Sequence, residues 1–319
     1  MRAVRLAEFG APDVLVAADV PDPEPGRGEA VIEVAFANIT FVETQFRASG
    51  AGPHKAELPM IPGNGVGGIV AAVGAGVAEG LVGRRVVSGT GGSGGYAERV
   101  VVDAGGLIDV PDGLELDTAV ALLADGRTAT MLVRAVGVRE GDRVLVEAAA
   151  GGVGTLLVQL AHAAGARVVA AAGGERKVAL VRDLGAEVAV DYRRPEWAER
   201  VREAVGGVDV VLDGVGGAIA RSAFELLARG GRMLSFGLAS GAWADIPDGA
   251  AADRGVTIVR RGRATPEELR AFTQSALAEA AAGRLRPVIG QRFPLERAAD
   301  AHAAIESRAT VGKTLLDVR

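Results

Sequence analysis

The chain has 319 residues, 49% of them hydrophobic and 24% charged, which is the balance of an ordinary globular protein with room for two domains. A net charge of −5 gives no basic surface for nucleic acid, and the absence of cysteine excludes disulfides, thiolate nucleophiles and cysteine-based zinc sites. No apolar run is long enough to span a membrane, and residues 1–6 alternate like a strand without a signal-peptide core, so we expect a cytoplasmic protein.

The first 118 residues are rich in short β runs separated by glycine and proline. Such spacing predicts a compact, barrel-like β module. The runs lie at residues 30–35, 68–73, 84–87 and 98–102. We interpret residues 41–60, 89–95 and 238–252 as loops that shape a substrate pocket.

From residue 116 onward, the pattern changes to alternating helices and strands. A helix is predicted at 116–137, and the strands that follow lie at 144–146, 168–171, 187–190, 208–212 and 231–236. Helices are predicted between them at 153–164, 175–184, 197–205 and 217–228. This alternation is typical of a doubly wound parallel sheet, an α/β fold with helices on both faces. Two helices, 266–282 and 296–305, and a strand, 313–318, complete the chain.

The first strand of this sheet leads into a turn of small residues, Ala149 to Gly154, and then into a helix. The turn matches the dinucleotide-binding pattern G-x-G-x-x-G, with Ala149 in the first glycine position. Backbone N–H groups at a helix N-terminus bind a pyrophosphate, and side chains in the turn would block its approach. We therefore predict a cofactor site at Ala150, Gly151, Gly152, Val153 and Gly154.

The residues after the second strand favour NADPH over NADH. An NAD site usually has an acidic residue there for the ribose 2′-hydroxyl, whereas this chain has alanine and glycine, followed by Arg176 and Lys177. These cations would attract a 2′-phosphate. Glu175 could still serve as a late acidic partner, and the two cations could simply be solvated residues of the next helix.

The motifs and their order resemble the medium-chain dehydrogenase/reductase superfamily, and within it the zinc-free NADPH:quinone oxidoreductase branch. The resemblance implies a GroES-like catalytic domain, residues 1–118 with 261–319, and a Rossmann NADPH-binding domain, residues 119–260. It covers the whole chain and rests most specifically on residues 41–44 (FVET), 61–68 (IPGNGVGG), 148–154 (AAAGGVG), 189–193 (AVDYR), 235–237 (SFG) and 302–313 (HAAIESRATVGK).

The resemblance also implies roles for single residues. Gly173, Lys177 and Tyr192 match positions that line the adenosine 2′-phosphate. Thr128 matches a threonine on the nicotinamide side, and Ser235, Phe236 and Gly237 match the turn beside the nicotinamide ribose. Each could instead be an ordinary structural residue: Tyr192 a half-buried anchor, and Thr128 bonded to its own helix.

Two residues stand where zinc-dependent relatives carry metal ligands. Thr40 and Asn64 match a cysteine and a histidine of those relatives, and neither is a plausible zinc ligand, so we expect no metal. Thr40, Asn64 and Thr128 are the candidate catalytic residues, and Gln45 and His54 are further polar residues of the same region. His54 fits an exposed loop as well, His162 and His302 are interpreted as structural, and Asp213 as a cap of the following helix.

The predicted reaction is hydride transfer from NADPH to a quinone or a similar electrophilic carbonyl acceptor. A quinone needs no dedicated general acid, because water can protonate the reduced oxygen. Two alternatives stay open: an NADPH-dependent reductase of enone or enal C=C bonds, and a non-catalytic NADPH-binding relative. We expect a small-molecule substrate, no nucleic-acid or membrane partner, and a homodimer joined through the strand at 257–260.

Overall fold

The computed structural model describes residues 1–52, 57–260 and 262–319, and it divides into two compact units. Unit 1 contains Met1–Gly126 and Thr273–Arg319, and unit 2 contains Arg127–Phe272. His54 lies outside the described residues. Among the helices of the described part, none is both long enough and apolar enough to cross a membrane.

The described elements follow in chain order. The strands are β1 (Arg2–Leu6), β2 (Leu15–Asp19), β3 (Glu29–Ile39), β4 (Gly65–Val73), β5 (Arg85–Gly89), β6 (Arg99–Asp103), β7 (Ile108–Asp109), β8 (Arg143–Glu147), β9 (Arg167–Ala172), β10 (Val188–Asp191), β11 (Val208–Asp213), β12 (Leu227–Ser235), β13 (Thr257–Ile258), β14 (Ile289–Pro294) and β15 (Lys313–Asp317). The helices are α1 (Phe41–Ser49), α2 (Leu116–Val136), α3 (Gly152–Ala163), α4 (Glu175–Asp183), α5 (Trp197–Val205), α6 (Gly217–Leu226), α7 (Ala250–Asp253), α8 (Pro266–Ala281) and α9 (Ala298–Glu306).

Unit 1 is built on a mainly antiparallel sheet in the order β14-β15-β3-β4-β5-β7, with β6 also paired to β3. The long strand β3 bends where its register with β4 shifts, between Val34 and Phe36. Gly68 faces Val34 at this bend, and a Cβ on Gly68 would lie 1.9 Å from the Glu33 carbonyl oxygen. Only glycine fits there, because the two backbones approach too closely for a side chain.

Unit 2 is a parallel sheet in the order β10-β9-β8-β11-β12-β13. Its central strands β8 and β11 are almost entirely buried, as expected for a sheet covered on both faces. The strand order reverses between β8 and β11, and in such sheets ligands bind at the carboxyl ends of the strands beside that reversal. The predicted α/β fold class, with a β-rich part and a doubly wound parallel sheet, is confirmed.

The prediction of residues 41–60 as a loop was wrong for its first part, since Phe41–Ser49 is a helix. Glu43 reaches back to the backbone N–H of Thr40, and Gly50 ends the helix in the left-handed conformation at φ 71°. The Thr40-x-x-Glu43 spacing is a recognised helix-start signal and could have revealed this helix. Strands β2 and β14 were also missed, and β12 begins at Leu227, earlier than predicted.

Candidate functional site

The turn between β8 and α3 leaves its backbone open toward the carboxyl end of the sheet. Ala148 has φ 48°, a left-handed conformation that is strained for a residue with a Cβ. Ala149 N–H donates to the Ala171 carbonyl at 3.1 Å, which ties the turn to β9. Ala150 is buried, while Gly151, Gly152 and Val153 at the start of α3 are partly exposed. Gly151 N–H donates to the Ala148 carbonyl at 2.9 Å, so the N–H groups of Gly152 and Val153 are the ones that can receive an anion.

Gly154 shows why this turn must lack side chains. A Cβ at Gly154 would lie 2.3 Å from the Ala148 carbonyl oxygen and 2.7 Å from the Cα of Ala149. Helix α3 consequently packs directly against the turn, which brings its N-terminus to the strand end. The residues present fit a dinucleotide pyrophosphate.

The end of β9 forms a second part of this edge. Gly173 lies beside the Tyr192 ring, because a Cβ on it would be 3.3 Å from Cε2 and 3.4 Å from the hydroxyl oxygen of Tyr192. Lys177 is partly buried in the first turn of α4, whereas Arg176 is exposed. Unit 2 therefore brings Gly173 and Tyr192 together, with Lys177 one helical turn beyond.

Arg193 lies at the same place, and the sequence-based prediction did not include it as a site residue. Its guanidinium covers Gly174, where a Cβ would be 2.7 Å from Nη2. Asp191 accepts hydrogen bonds from Arg193 Nε at 3.0 Å and Nη2 at 2.8 Å. These bonds hold the pKa of the Asp191 carboxyl well below its usual range. The sequence could have indicated Arg193, because it follows Tyr192 and lies two residues after β10, the strand that pairs with β9.

The predicted nicotinamide-ribose turn lies at the end of β12, beside β11. Phe236 N–H donates to the Asp213 carbonyl at 2.8 Å, and a Cβ on Gly214 would lie 2.9 Å from the Phe236 ring. Ser235 pairs with Asp213 in the parallel register, and Gly237 follows the turn. These residues lie at the carboxyl ends of the central strands, but their contact with a cofactor stays a prediction.

Asp213 stabilises the turn before α6. Its Oδ1 accepts from the N–H groups of Val215 at 2.9 Å and Gly216 at 2.7 Å. The prediction that Asp213 caps helix α6 was wrong, because the N-cap residue of α6 is Gly216. The glycine pair Gly216 and Gly217, both with positive φ, extends the turn by enough to separate Asp213 from the helix.

Asp213 also faces Glu147 across neighbouring strand ends of the sheet. Both residues are fully buried. Neither Glu147 oxygen receives a hydrogen bond within the described residues, and neither does Oδ2 of Asp213. Burial, and then the negative charge of Asp213, raise the pKa of Glu147 well above its usual value. Glu147 is therefore held mainly as a neutral carboxylic acid.

In unit 1, the predicted residues Thr40 and Asn64 are joined through one carboxyl group, that of Glu43. Glu43 Oε2 accepts from Thr40 N–H at 2.7 Å and from the Thr40 hydroxyl at 2.8 Å. The other oxygen, Oε1, accepts from Asn64 N–H at 2.9 Å. Glu43 keeps some accessible surface, yet burial raises the pKa of its carboxyl, and the bonds from Thr40 oppose that rise.

Tyr96 and His302 continue this arrangement into the core. The Tyr96 hydroxyl lies 3.4 Å from Oε1 of Glu43 and 3.0 Å from Nε2 of His302. Burial and then Arg47 lower the pKa of His302 to about 3, so the imidazole is neutral. A proton on Nε2 lets His302 donate to Tyr96, and Tyr96 can then donate to Glu43. We name Thr40, Glu43, Asn64, Tyr96 and His302 the Glu43 cluster.

A buried ion pair lies in the same unit. Lys313 is 3% exposed, and its Nζ contacts Asp125 Oδ1 at 3.1 Å. Its positive charge opposes the rise in the Glu43 pKa. In the described part of the chain, no group of three or more histidine, aspartate or glutamate side chains is placed to hold a metal ion.

The remaining predicted polar residues are separate from the Glu43 cluster. Gln45 is partly exposed on α1, and its carbonyl accepts from the Ser49 hydroxyl at 3.0 Å. Thr128 is partly exposed on α2 and belongs to unit 2. The structure therefore brings two of the three candidate catalytic residues together, within unit 1.

Comparisons with known proteins cover both units. The family model described as "Alcohol dehydrogenase GroES-like domain" matches residues 26–112, and the one described as "Zinc-binding dehydrogenase" matches residues 152–278. The chain is 34% identical over 323 residues to a quinone oxidoreductase of Pseudomonas aeruginosa, covering 99% of each. The chain belongs to the medium-chain dehydrogenase/reductase superfamily, in its quinone oxidoreductase branch.

Among the solved structures similar to this chain, one is described with NADPH and another is named for NAD. An Escherichia coli quinone oxidoreductase complexed with NADPH is 30% identical, with a TM-score of 0.91, covering 99% of this chain and 100% of the other. A protein named as an NAD-dependent alcohol dehydrogenase is 34% identical, with a TM-score of 0.91 and full coverage of both chains. Because these names differ in the cofactor, the residues at the end of β9 are the feature of this chain that distinguishes NADPH from NADH.

Proposed function

We propose that this chain transfers hydride from NADPH to a quinone or a similar electrophilic carbonyl acceptor, without zinc. The observation that carries the proposal is the end of β9, where glycine replaces the acidic residue of an NAD site. Tyr192 and Arg193 lie against that turn, and Lys177 follows on α4. The full-length similarity to quinone oxidoreductases supports the same activity.

The residues of unit 2 hold and orient the cofactor. The N–H groups of Gly152 and Val153 bind the pyrophosphate at the start of α3. Gly151, whose own N–H donates to the Ala148 carbonyl at 2.9 Å, and Gly154 let the cofactor and the helix come close to the turn. When bound, NADPH supplies the hydride, and the protein supplies position and exclusion of water. Ser235, Phe236 and Gly237 face the nicotinamide ribose in this proposal, and Thr128 lies on the nicotinamide side.

The residues of unit 1 orient the acceptor. The Thr40 hydroxyl donates a hydrogen bond to Glu43. While Glu43 is charged, the Thr40 oxygen can therefore only accept hydrogen bonds from the substrate. Thr40 can donate to a developing oxyanion only when Glu43 is protonated, and otherwise water supplies the proton. Thr40 and Asn64 occupy the positions of zinc ligands in related enzymes, and neither side chain is a usual zinc ligand.

Assays of the purified protein with NADPH test this proposal. We expect rapid NADPH oxidation with a 1,4-benzoquinone, slower oxidation with an enone or enal, and no loss of rate after treatment with a chelator. A faster rate with the enone would favour the C=C reductase. NADPH binding without oxidation by any of these acceptors would identify a non-catalytic relative.

The proposal extends to a homodimer joined through the outer edge of the unit 2 sheet. Both residues of β13, Thr257 and Ile258, are exposed, and among the strands that the structure describes this one pairs with β12 alone. An unpaired edge with an exposed isoleucine can pair with a second copy. Light scattering should give twice the mass of the chain, and Ile258→Lys should return the monomer mass. Cytoplasmic location stays a prediction, which cell fractionation would test.

A further inference from the structure

The guanidinium of Arg193 lies over the turn that follows β9. A Cβ on Gly174 would be 2.7 Å from Nη2 and 3.1 Å from Cζ of Arg193, and a Cβ on Gly173 would be 3.6 Å from its Cδ. In dinucleotide-binding sheets, the adenosine ribose lies at the end of this second strand. Arg193 therefore covers the position at which a 2′-phosphate would extend from that ribose.

Asp191 fixes the orientation of this guanidinium. Its two oxygens accept from Nε and Nη2 of Arg193, and its Oδ1 also accepts from the Arg193 backbone N–H at 3.1 Å. The Arg193 side chain is 62% exposed, while that of Asp191 is 12% exposed. Nη1 makes no hydrogen bond to any described residue, so its two N–H groups can donate to an added anion.

Arg193 provides positive charge at a turn that otherwise has two nearby carboxylates. Asp191 carries a negative charge at the end of β10, and Glu175 begins α4 close enough to stabilise the charged form of Arg193. Without Arg193, these two carboxylates would repel a 2′-phosphate and could bind a ribose hydroxyl instead. With it, the turn presents a fork of donors that matches phosphate geometry.

We propose that Arg193, oriented by Asp191, recognises the 2′-phosphate and sets the preference of this chain for NADPH over NADH. The inference rests on the proposed cofactor and names the residue that selects it. Lys177 adds a point charge from α4, whereas Arg193 supplies directional donors.

Binding of two nucleotides tests the inference without any turnover. Adenosine 2′,5′-bisphosphate carries the 2′-phosphate, and adenosine 5′-monophosphate lacks it, so their dissociation constants measured by calorimetry isolate that group. We expect Arg193→Ala to weaken binding of the bisphosphate about tenfold or more, and that of the monophosphate less than twofold. Arg194→Ala, the matched loss of charge at the adjacent exposed position, should change neither constant more than twofold.

Two further variants separate orientation from charge alone. Arg193→Lys should recover only part of the affinity, because an ammonium cannot form the fork. Asp191→Asn should weaken bisphosphate binding about threefold if Asp191 orients Arg193. Tighter binding in Asp191→Asn would show that Asp191 merely repels the phosphate, which would overturn its positioning role.

The outcomes distinguish this inference from the proposed cofactor. If the unaltered protein binds the bisphosphate no more tightly than the monophosphate, the NADPH proposal itself fails. If the unaltered protein prefers the bisphosphate and Arg193→Ala keeps that preference in full, the assignment of Arg193 is wrong while the cofactor stands.

Discussion

The α3 turn of unit 2 and the Glu43 cluster of unit 1 differ in which groups form the site. In unit 2 the α3 turn works through backbone, and it depends on the absence of a side chain at Gly154. In unit 1 the Glu43 cluster works through side chains, with one carboxyl group accepting from Thr40 and Asn64. A methyl group added at Gly154 would therefore disrupt the α3 turn, whereas loss of the Glu43 carboxyl would leave the donors of the Glu43 cluster without their acceptor.

Two glutamates, the partly buried Glu43 and the fully buried Glu147, sharpen this contrast. Glu43 receives several hydrogen bonds, and Glu147 receives none within the described residues. Burial raises the pKa of both. Donors around Glu43 make a charged carboxylate acceptable, whereas Glu147 beside Asp213 is stable mainly as a neutral acid.

The largest effect is expected from adding a methyl group to the turn. Gly154→Ala places a Cβ 2.3 Å from the Ala148 carbonyl oxygen, so the backbone must shift. We expect the free energy of unfolding to fall by about 3 kcal/mol and NADPH binding to be lost. Gly151→Ala is the matched control, because its Cβ would lie 3.3 Å from the same oxygen and should cost less than about 1 kcal/mol. Equal denaturation midpoints for the two variants would contradict the packing argument.

Removing the acceptor of the Glu43 cluster should have the next largest effect. Glu43→Ala leaves the N–H groups of Thr40 and Asn64 and the Thr40 hydroxyl without their acceptor. We expect a loss of about 2 kcal/mol in urea unfolding. Glu29→Ala is the control, since the Glu29 carboxyl accepts from the exposed Gly26 N–H and from no other described residue. This substitution should change stability by less than about 0.5 kcal/mol. A Glu43→Ala variant as stable as Glu29→Ala would show that the cluster contributes nothing to folding.

A smaller effect of opposite sign is expected at Glu147. Because its pKa is raised on folding, the folded protein holds a proton that the unfolded chain has lost, so stability falls as pH rises above the ordinary glutamate value. Glu147→Gln keeps a donor toward Asp213 at every pH. Its gain over the unaltered protein should be about 1 kcal/mol larger at pH 8 than at pH 5. Glu140→Gln, an exposed control, should show no such difference, and a pH-independent effect of Glu147→Gln would contradict the raised pKa of Glu147.

The same contrast explains what could be predicted from the sequence. The α3 turn was predicted because a backbone site leaves a local pattern of small residues between a β-branched strand and a helix. Helix α5 was predicted with its observed bounds, since a glycine follows it and its apolar residues repeat at helical spacing. Local signals of this kind are complete within a few residues.

The Glu43 cluster left one local signal, the Thr40-x-x-Glu43 spacing that begins α1. Thr40 and Asn64 were singled out only through family resemblance. Tyr96 and His302 come from segments distant in sequence, which meet Glu43 only in the folded unit 1. Arg193 was missed although it follows Tyr192 in the sequence, because its position over Gly174 depends on the pairing of β10 with β9. A hydrogen bond between distant segments has no periodicity, so only the fold reveals it.

The preference between the two nicotinamide cofactors tests the central claim most directly. The ratio of kcat/KM for NADPH to that for NADH should be measured with one saturating 1,4-benzoquinone at low ionic strength. We expect a ratio above about tenfold, because the 2′-phosphate gains charge-assisted hydrogen bonds at the end of β9. A ratio near one, or a preference for NADH, would show that the end of β9 does not select NADPH.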